Sequence, residues 1–224
     1  MERYFRLEIK LEKILLTSLI LFLFSCSEIN KQRISPAYFE AYEAISRYFF
    51  QTDNELLTQE VIENIPYASA ILKIGRGKPG LIILEKKIDN KEYWISADGV
   101  YIVTKNGRIV QTQGLSNNLK FFKTNNDKVS LETINFKNYL TYDQPTLFDL
   151  PIEVNAKPLG QEKVNLLKGD TSLFLVEEEI NNYKINWYAL NRFWLDEDGY
   201  VWKSEQNISP KLPTFYMEIT KPYK

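Results

Sequence analysis

The groups available for chemistry in this chain are carboxylates, lysines, tyrosines and one thiol. The 224 residues include no histidine and a single cysteine. Histidine is the commonest general base and, with cysteine, the usual zinc ligand. Serine–histidine and cysteine–histidine catalysis are therefore excluded, and no internal disulfide can form. The balance of 28 basic against 29 acidic residues also argues against a nucleic-acid-binding protein, because neutralising phosphates requires a basic surface.

Two acidic clusters and one glycine-rich segment could carry chemistry, and each has a structural interpretation. Asp196 and Asp198 lie in a predicted turn, where aspartate is favoured for conformational reasons. The run Glu177–Glu179 lacks further oxygen ligands at the spacing of a cation-binding loop. The segment Gly75–Gly80 lacks the phosphate-loop pattern, and Pro79 removes an amide donor. We therefore predict no catalytic residue, no metal site and no cofactor.

The four tryptophans are the stronger candidates for a binding function. Their large rings could stack on the apolar faces of sugars, and an exposed aromatic groove would mark a binding surface. The alternative is that they fill the core, since tryptophan is usually largely buried. The candidate glycan-binding residues are Trp94, Trp187, Trp194 and Trp202.

The only cysteine lies at the end of an apolar run near the start of the chain. The run Ile14–Phe24 follows several basic residues and is too short to cross a bilayer, which predicts a signal peptide over 1–25. The sequence Leu23-Phe24-Ser25-Cys26 resembles a bacterial lipobox, in which the cysteine becomes the acylated first residue of the mature protein. Ser27, by resemblance to the sorting rule of enteric bacteria, favours the outer membrane over the inner one.

The mature chain is predicted to hold a lipidated tether over 26–34 and a single β-rich domain over 35–224. Apolar residues at helical spacing predict one amphipathic helix over about 36–51. A short second helix over 58–64 is expected to end before Pro66. No glycine-, serine- or proline-rich linker divides the domain.

From residue 70 onward the sequence predicts short strands joined by tight turns. Asp98-Gly99 and Asn106-Gly107 are hairpin signals, because type I′ turns need positive φ at both central residues. The fold class is therefore mostly β, an antiparallel meander that closes into a β-barrel-like or half-barrel domain. The predicted strands are 70–74, 81–86, 93–96, 100–104, 108–112, 128–136, 172–177, 184–191, 193–196, 200–205 and 214–220.

Two ten-residue segments resemble each other. Tyr93–Ile102 and Phe193–Trp202 both run from an aromatic-Trp-aliphatic sequence through two residues to Asp-Gly and into a second strand. The similarity predicts two equivalent hairpins, either from duplicated halves or from independent selection of the same turn chemistry.

Three spaced motifs, together with Cys26, resemble one bacterial family. The motifs are Trp94–Gly99, Asn106–Leu115 and Asn191–Ser204. They are similar to the YjbF/GfcB lipoproteins of exopolysaccharide and group 4 capsule operons in Gram-negative bacteria. The resemblance implies a periplasm-facing outer-membrane lipoprotein with a β-barrel-like fold that acts in polysaccharide secretion or assembly. It supplies no catalytic residue, and Cys26 is the only functional position that transfers.

The sequence as a whole favours a non-catalytic accessory lipoprotein for surface-polysaccharide export. Its expected contacts are the membrane, through the lipid anchor, and a polysaccharide or a polysaccharide-export protein. One alternative is a half-barrel that carries lipids or lipoproteins, whose interior would be an open apolar cavity. Another alternative is a carboxylate-dependent enzyme that modifies polysaccharide, for which paired carboxylates would line an aromatic cleft.

Replacing Cys26 with alanine should abolish fatty-acid labelling of the full-length protein and its retention in the membrane fraction. Two or three acyl chains anchor a protein stably, and the variant would lose the attachment point for all of them. Metabolic labelling followed by fractionation measures both effects. A labelled Cys26→Ala protein would contradict the anchor.

Overall fold

The computed structural model describes residues 59–223, which form one short helix and twelve strands. All of them belong to a compact unit that spans Ser46–Lys224, whereas a second unit, Met1–Ile45, lies outside the described residues. The signal peptide, Cys26, the tether and the helix predicted over 36–51 also lie outside them. The elements are α1 (Gln59–Glu63), β1 (Ser69–Ile74), β2 (Gly80–Ile88), β3 (Lys91–Ser96), β4 (Tyr101–Lys105), β5 (Arg108–Gln113), β6 (Leu119–Thr124), β7 (Ile134–Asp143), β8 (Thr146–Leu166), β9 (Gly169–Asn182), β10 (Trp187–Leu195), β11 (Val201–Gln206) and β12 (Phe215–Lys221).

The twelve strands form one antiparallel sheet in the order β5-β4-β3-β2-β1-β12-β11-β10-β9-β8-β7-β6. Consecutive strands pair with each other, except for β5 and β6, which are the two edges of the sheet, and β12 also pairs with β1. The sheet curls until its edge strands, β5 and β6, approach each other in a nearly closed barrel. The predicted antiparallel, barrel-like meander is therefore confirmed. Within residues 59–223, the short α1 is the only α-helix, and no helical segment there has the length and apolar character needed to span a bilayer.

The interior of the barrel is filled by side chains from both halves of the sheet. Its largest fully buried members include Trp94, Tyr142, Phe193 and Phe215. The hydroxyl of Tyr142 donates a hydrogen bond of 2.6 Å to the carbonyl oxygen of Ile208, so the one polar atom of that ring is satisfied inside the core. The space beside Arg108 holds about 20 Å³, which is room for a single water. A larger pocket, of about 290 Å³, reaches the core residues Met217 and Ile219.

A glutamine side chain takes the place of a missing neighbour along one edge of the sheet. The backbone N–H of Ile109, in edge strand β5, donates to Oε1 of Gln206 at 2.9 Å. Nε2 of Gln206 donates in turn to the carbonyl oxygen of Gly107 at 2.8 Å. This pair of bonds reproduces what a peptide group of an adjacent strand would make. Farther along the seam, the N–H of Leu119 donates to the hydroxyl oxygen of Thr112 at 2.9 Å.

A buried ion pair crosses the interior beside the hydrogen bonds of Gln206. Both terminal nitrogens of Arg108, at the start of β5, donate to the two carboxylate oxygens of Glu178 in β9 at 2.5 Å. The guanidinium lies 5.4 Å from the ring centroid of Phe136 and 5.2 Å from that of Phe193. Both charged residues are almost fully buried. Bidentate pairing and stacking on aromatic rings are the contacts that suit arginine at a desolvated site.

The turns follow the sequence at some positions and depart from it at others. Asn106 and Gly107 have φ of +49° and +80°, as the predicted type I′ turn requires. A Cβ atom at Gly107 would also lie 2.4 Å from that of Val201, so no side chain fits there. The type I′ prediction for Asp98-Gly99 is wrong, because only Gly99 has positive φ. The N–H of Gly99 donates to the carbonyl of Ser96, which is typical of a three-residue loop with a bulge.

The two similar hairpins share this turn but not the orientation of their tryptophans. The backbone N–H of Asp196 donates to the carbonyl of Tyr200 at 3.0 Å, matching the bond from Ser96 to Val100. Trp94 nevertheless belongs to the main core, whereas Trp194 belongs to a separate cluster on the opposite face of the sheet. Successive side chains of a strand point to opposite faces of the sheet, so a shift of one residue moves the tryptophan from the core face to the outer face.

Several predicted strand boundaries are wrong. The strand predicted over 128–136 begins only at Ile134, and the strands predicted over 184–191 and 193–196 form the single strand β10. Strands β6 and β8 were not predicted. Strand β8 contains Pro151, Pro158 and Gly160, which disfavour an isolated strand, but it pairs with β7 on one side and with β9 on the other.

Removing one member of the buried ion pair should destabilise the barrel strongly. We expect Glu178→Leu to lower the free energy of unfolding by about 3–5 kcal/mol, because Arg108 would remain buried without its counter-charge. The double variant Arg108→Met/Glu178→Leu should recover most of that loss, since similar-sized apolar groups leave no unpaired charge. Urea unfolding of the full chain measures both. A double variant no more stable than the single one would contradict this account.

Candidate functional site

Two of the four predicted glycan-binding tryptophans lie in the barrel core. Trp94 is 1% exposed and Trp187 is 9% exposed. The indole nitrogen of Trp94 donates to the hydroxyl oxygen of Thr104 at 2.9 Å, so its polar atom is also occupied. Neither ring presents a face on which a sugar could stack.

The other two tryptophans lie outside the barrel, where the β8–β9 hairpin packs over them. Side chains from this hairpin, Val164, Leu166 and Leu173, form a second apolar cluster with Trp194, which is 7% exposed. The ring of Trp202 is partly exposed, but the ammonium of Lys168 lies 3.0 Å from its centroid. Desolvation at this position lowers the pKa of Lys168. The hairpin therefore occupies the rings that the sequence offers for glycan contact.

Of the two aspartates considered as catalytic candidates, Asp196 is held in structural hydrogen bonds and Asp198 is exposed. One carboxylate oxygen of Asp196 accepts from the N–H of Tyr200 at 2.9 Å, and the other accepts from the indole of Trp202 at 2.8 Å. Asp198 lies in the exposed hairpin turn. Over residues 59–223, no three acidic, cysteine or histidine side chains cluster in a way that could hold a metal ion.

An open groove of about 820 Å³ runs across the outer face of strands β7, β8, β9 and β10, and we call it the tyrosine groove. Its residues alternate with the core side chains Phe136, Val154 and Ile180, so they project away from the barrel interior. Strand pairing arranges them in two rows: Lys137, Glu153, Asn181 and Tyr188 in one, and Asn135, Asn155, Glu179 and Leu190 in the other.

Two exposed tyrosines stand at the end of this groove. Tyr183 is 69% exposed and Tyr188 is 59% exposed, and their ring centroids lie 6.0 Å apart in an edge-to-face arrangement. They flank the turn between β9 and β10, which places both phenols in solvent. Aromatic rings with polar groups converging beside them are a common feature of ligand-binding sites.

The polar groups of the groove form a connected surface. Lys137 lies 3.1 Å from a carboxylate oxygen of Glu153, and Lys157 lies 2.9 Å from one of Glu179. The side-chain amide of Asn155 donates to Glu179 at 3.3 Å. The amide oxygen of Asn181 is buried at the groove and accepts no hydrogen bond from another protein group. Amide, carboxylate, ammonium and phenol groups together can donate to and accept from sugar hydroxyls, while the tyrosine rings provide apolar faces.

Sequence reasoning missed the tyrosine groove. The alternation of polar and apolar residues around Phe136, Val154 and Ile180 is visible in the sequence and identifies outward-facing positions. The sequence does not show which strands are neighbours, and β8 itself was not predicted. The outward residues of four strands could therefore not be assembled into one surface.

Comparisons with known proteins agree with this architecture. Residues 42–220 match the model of a family described as the group 4 capsule polysaccharide lipoprotein GfcB, YjbF. The lipoprotein YjbF of Escherichia coli K12 is 26% identical over 173 residues, covering 71% of this chain and 77% of that protein. The lipoprotein GfcB of the same organism is 20% identical over 217 residues, covering 93% and 98%.

The fold also matches a crystal structure. The hypothetical lipoprotein YmcC of Escherichia coli K12 superposes with a TM-score of 0.69 at 20% identity, covering 82% of this chain and 96% of that chain. The family match extends over most of the chain and includes eleven strands in full and all of β12 except its last residue, Lys221. This chain therefore belongs to the YjbF/GfcB family of group 4 capsule polysaccharide lipoproteins.

Proposed function

We propose that this chain is a non-catalytic lipoprotein, anchored in the outer membrane, that assists the secretion or assembly of a capsule or exopolysaccharide. It contacts the glycan through the tyrosine groove. The observation that carries the proposal is the pair of exposed tyrosines, Tyr183 and Tyr188, beside two rows of polar side chains on a rigid sheet. Rigid aromatic side chains supply contact area at low entropic cost when a ligand binds.

The state of the carboxylates supports binding rather than catalysis. Each groove glutamate forms an exposed ion pair with a lysine, Glu153 with Lys137 at 3.1 Å and Glu179 with Lys157 at 2.9 Å. Asp196, the aspartate considered for hydrolysis, uses both oxygens to hold the turn that contains it. The alternative of a carboxylate-dependent enzyme therefore has no support from the described residues.

The packing of the barrel interior favours glycan binding over the alternative of lipid carriage. A lipid-carrying half-barrel needs an open apolar cavity, whereas the space beside Arg108 and Glu178 holds about 20 Å³. A larger pocket of about 290 Å³ reaches Met217 and Ile219, but charged side chains such as Glu92 and Lys128 also line it. The acyl chains that matter to this protein would be its own, attached at Cys26. Ser27 after that cysteine supports sorting to the outer membrane, where the β domain would face the periplasm and meet an exported glycan.

Removing the tyrosine rings should weaken glycan binding. For the full-length protein in detergent, titrated with the source organism's own surface polysaccharide, we expect Tyr183→Ala/Tyr188→Ala to raise the dissociation constant about tenfold or more. Each ring that stacks on a sugar contributes about 1 kcal/mol, or roughly fivefold in affinity. Calorimetry measures the change.

The matched control is Tyr223→Ala, which removes an equally exposed tyrosine outside the groove and should leave binding unchanged. Equal loss in both variants, or no binding by the unmodified protein up to millimolar polysaccharide, would reject the groove. In the second case the surface would serve a protein of the export machinery.

A further inference from the structure

A second groove, of about 360 Å³, lies at the seam between the edge strands β5 and β6, and we call it the seam groove. One wall is the outer face of β3, β4 and β5, and the other is strand β6. Its charged and aromatic lining comprises Lys91, Lys105, Lys120, Lys123, Phe121 and Asp127. It shares no lining residue with the tyrosine groove.

Three cations stand side by side along the first wall. Lys91 in β3 pairs directly with Lys105 in β4, which pairs directly with Arg108 in β5. Like charges directly opposite each other destabilise a sheet, so this row has a stability cost. Arg108 is neutralised by Glu178 in the interior, and Lys105 lies 2.9 Å from a carboxylate oxygen of Asp127.

The second wall adds two more lysines. Lys120 occupies the bulge of β6, and Lys123 lies three residues farther along that strand. Among residues 59–223, no carboxylate lies within 4 Å of the ammonium of either lysine, and none lies that close to Lys91. Lys120 acts on Asp143 from a longer distance: hydrogen bonds from Asn118 lower the pKa of that carboxyl, and the charge of Lys120 adds to the effect. Four lysines against Asp127 leave a surplus of three positive charges in the groove.

An exposed aromatic ring lies among these charges. Phe121 of β6 is 71% exposed, although its neighbour Phe122 packs against the core. A phenyl ring offers an apolar face but no hydrogen bond, so it favours a ligand that has an apolar face of its own. A sugar ring has such a face, whereas a simple inorganic anion does not.

We propose that the seam groove binds a carboxylate-bearing polysaccharide. The lysines contact the carboxylates of successive acidic sugars, and Phe121 stacks on a sugar ring between them. The tyrosine groove has nearly balanced charge and suits sugar hydroxyls, whereas the seam groove selects chains that carry negative charge. The inference extends the proposed function to a second site with a different chemical preference, and the two sites can fail separately.

The test uses the full-length protein in detergent with three probes: polygalacturonate, neutral dextran and poly-L-glutamate of matched charge. We expect polygalacturonate to bind at low ionic strength, to weaken as salt is raised, and to bind at least tenfold more tightly than dextran. Each exposed ammonium–carboxylate contact contributes roughly two- to fivefold in affinity. Lys120→Glu/Lys123→Glu should therefore weaken polygalacturonate binding about tenfold or more.

The matched control is Lys78→Glu/Lys211→Glu, which makes the same change of charge at two exposed lysines outside the groove. Equal weakening in both double variants would show that only the net charge matters and would overturn the site. Absence of polygalacturonate binding would also overturn it. The neutral pair Lys120→Gln/Lys123→Gln repeats the test if the glutamate variant fails to fold.

Phe121→Ala distinguishes a glycan from any other polyanion. We expect it to weaken polygalacturonate binding severalfold and to leave poly-L-glutamate binding unchanged, because only the sugar stacks on the ring. If poly-L-glutamate binds as tightly as polygalacturonate and depends equally on Lys120 and Lys123, the groove recognises charge alone. That result would reject a polysaccharide as its ligand in favour of an acidic protein segment.

Discussion

The barrel depends on side-chain contacts that hold its edge strand β5, because no hydrogen-bonded ladder joins β5 to the other edge strand, β6. Gln206 supplies the missing peptide contacts to β5, and Arg108 crosses the interior to Glu178. Both interactions involve residues 107–109. They link the first five strands to β9 and β11, which are more than 60 residues away in the chain. A long exposed edge in this position would be a template for aggregation. Polar side chains thus tie edge strand β5 to two strands across the barrel.

This mode of closure constrains where ligands can bind. The guanidinium of Arg108 and the rings of Phe136 and Phe193 pack together inside the barrel, and about 20 Å³ of free volume remains beside them. Four strands, β7 to β10, are long and well paired, and their outer face is a rigid surface for polar and aromatic groups. Binding sites on rigid elements hold their side chains in place better than sites on loops. Both proposed binding grooves therefore lie on the outside of the sheet.

Features encoded by a few adjacent residues could be predicted from the sequence, and features that depend on distant partners could not. The turn at Asn106-Gly107 follows from the tolerance of both residues for positive φ. Strand β8 could not be recognised, because Pro151 and Pro158 are tolerated only through pairing with β7 and β9. The burial of Trp194 was equally inaccessible, since its cover comes from a hairpin about 30 residues earlier in the chain.

The repeated hairpins show the same limit within a single motif. Their turns are alike because Asp-Gly and the residue three positions before the glycine determine the local hydrogen bonds. The faces of Trp94 and Trp194 differ because the surrounding strands decide which side is inside. Similarity over ten residues therefore predicts a turn but not the environment of an aromatic ring. The glycan-contact prediction for the tryptophans needed that environment.

The seam groove lies where β5 and β6 are neighbours without a hydrogen-bonded ladder between them. Strands paired in a ladder lie about 4.8 Å apart and leave no channel between them. The row formed by Lys91, Lys105 and Arg108 also divides at this point, since the last cation turns inward to Glu178 and the other two remain on the outer face. One row of like charges thus supplies Arg108, which ties β5 to β9, and the two lysines that line the seam groove. A fully hydrogen-bonded barrel would need neither, so the charge row and the incomplete seam have one structural origin.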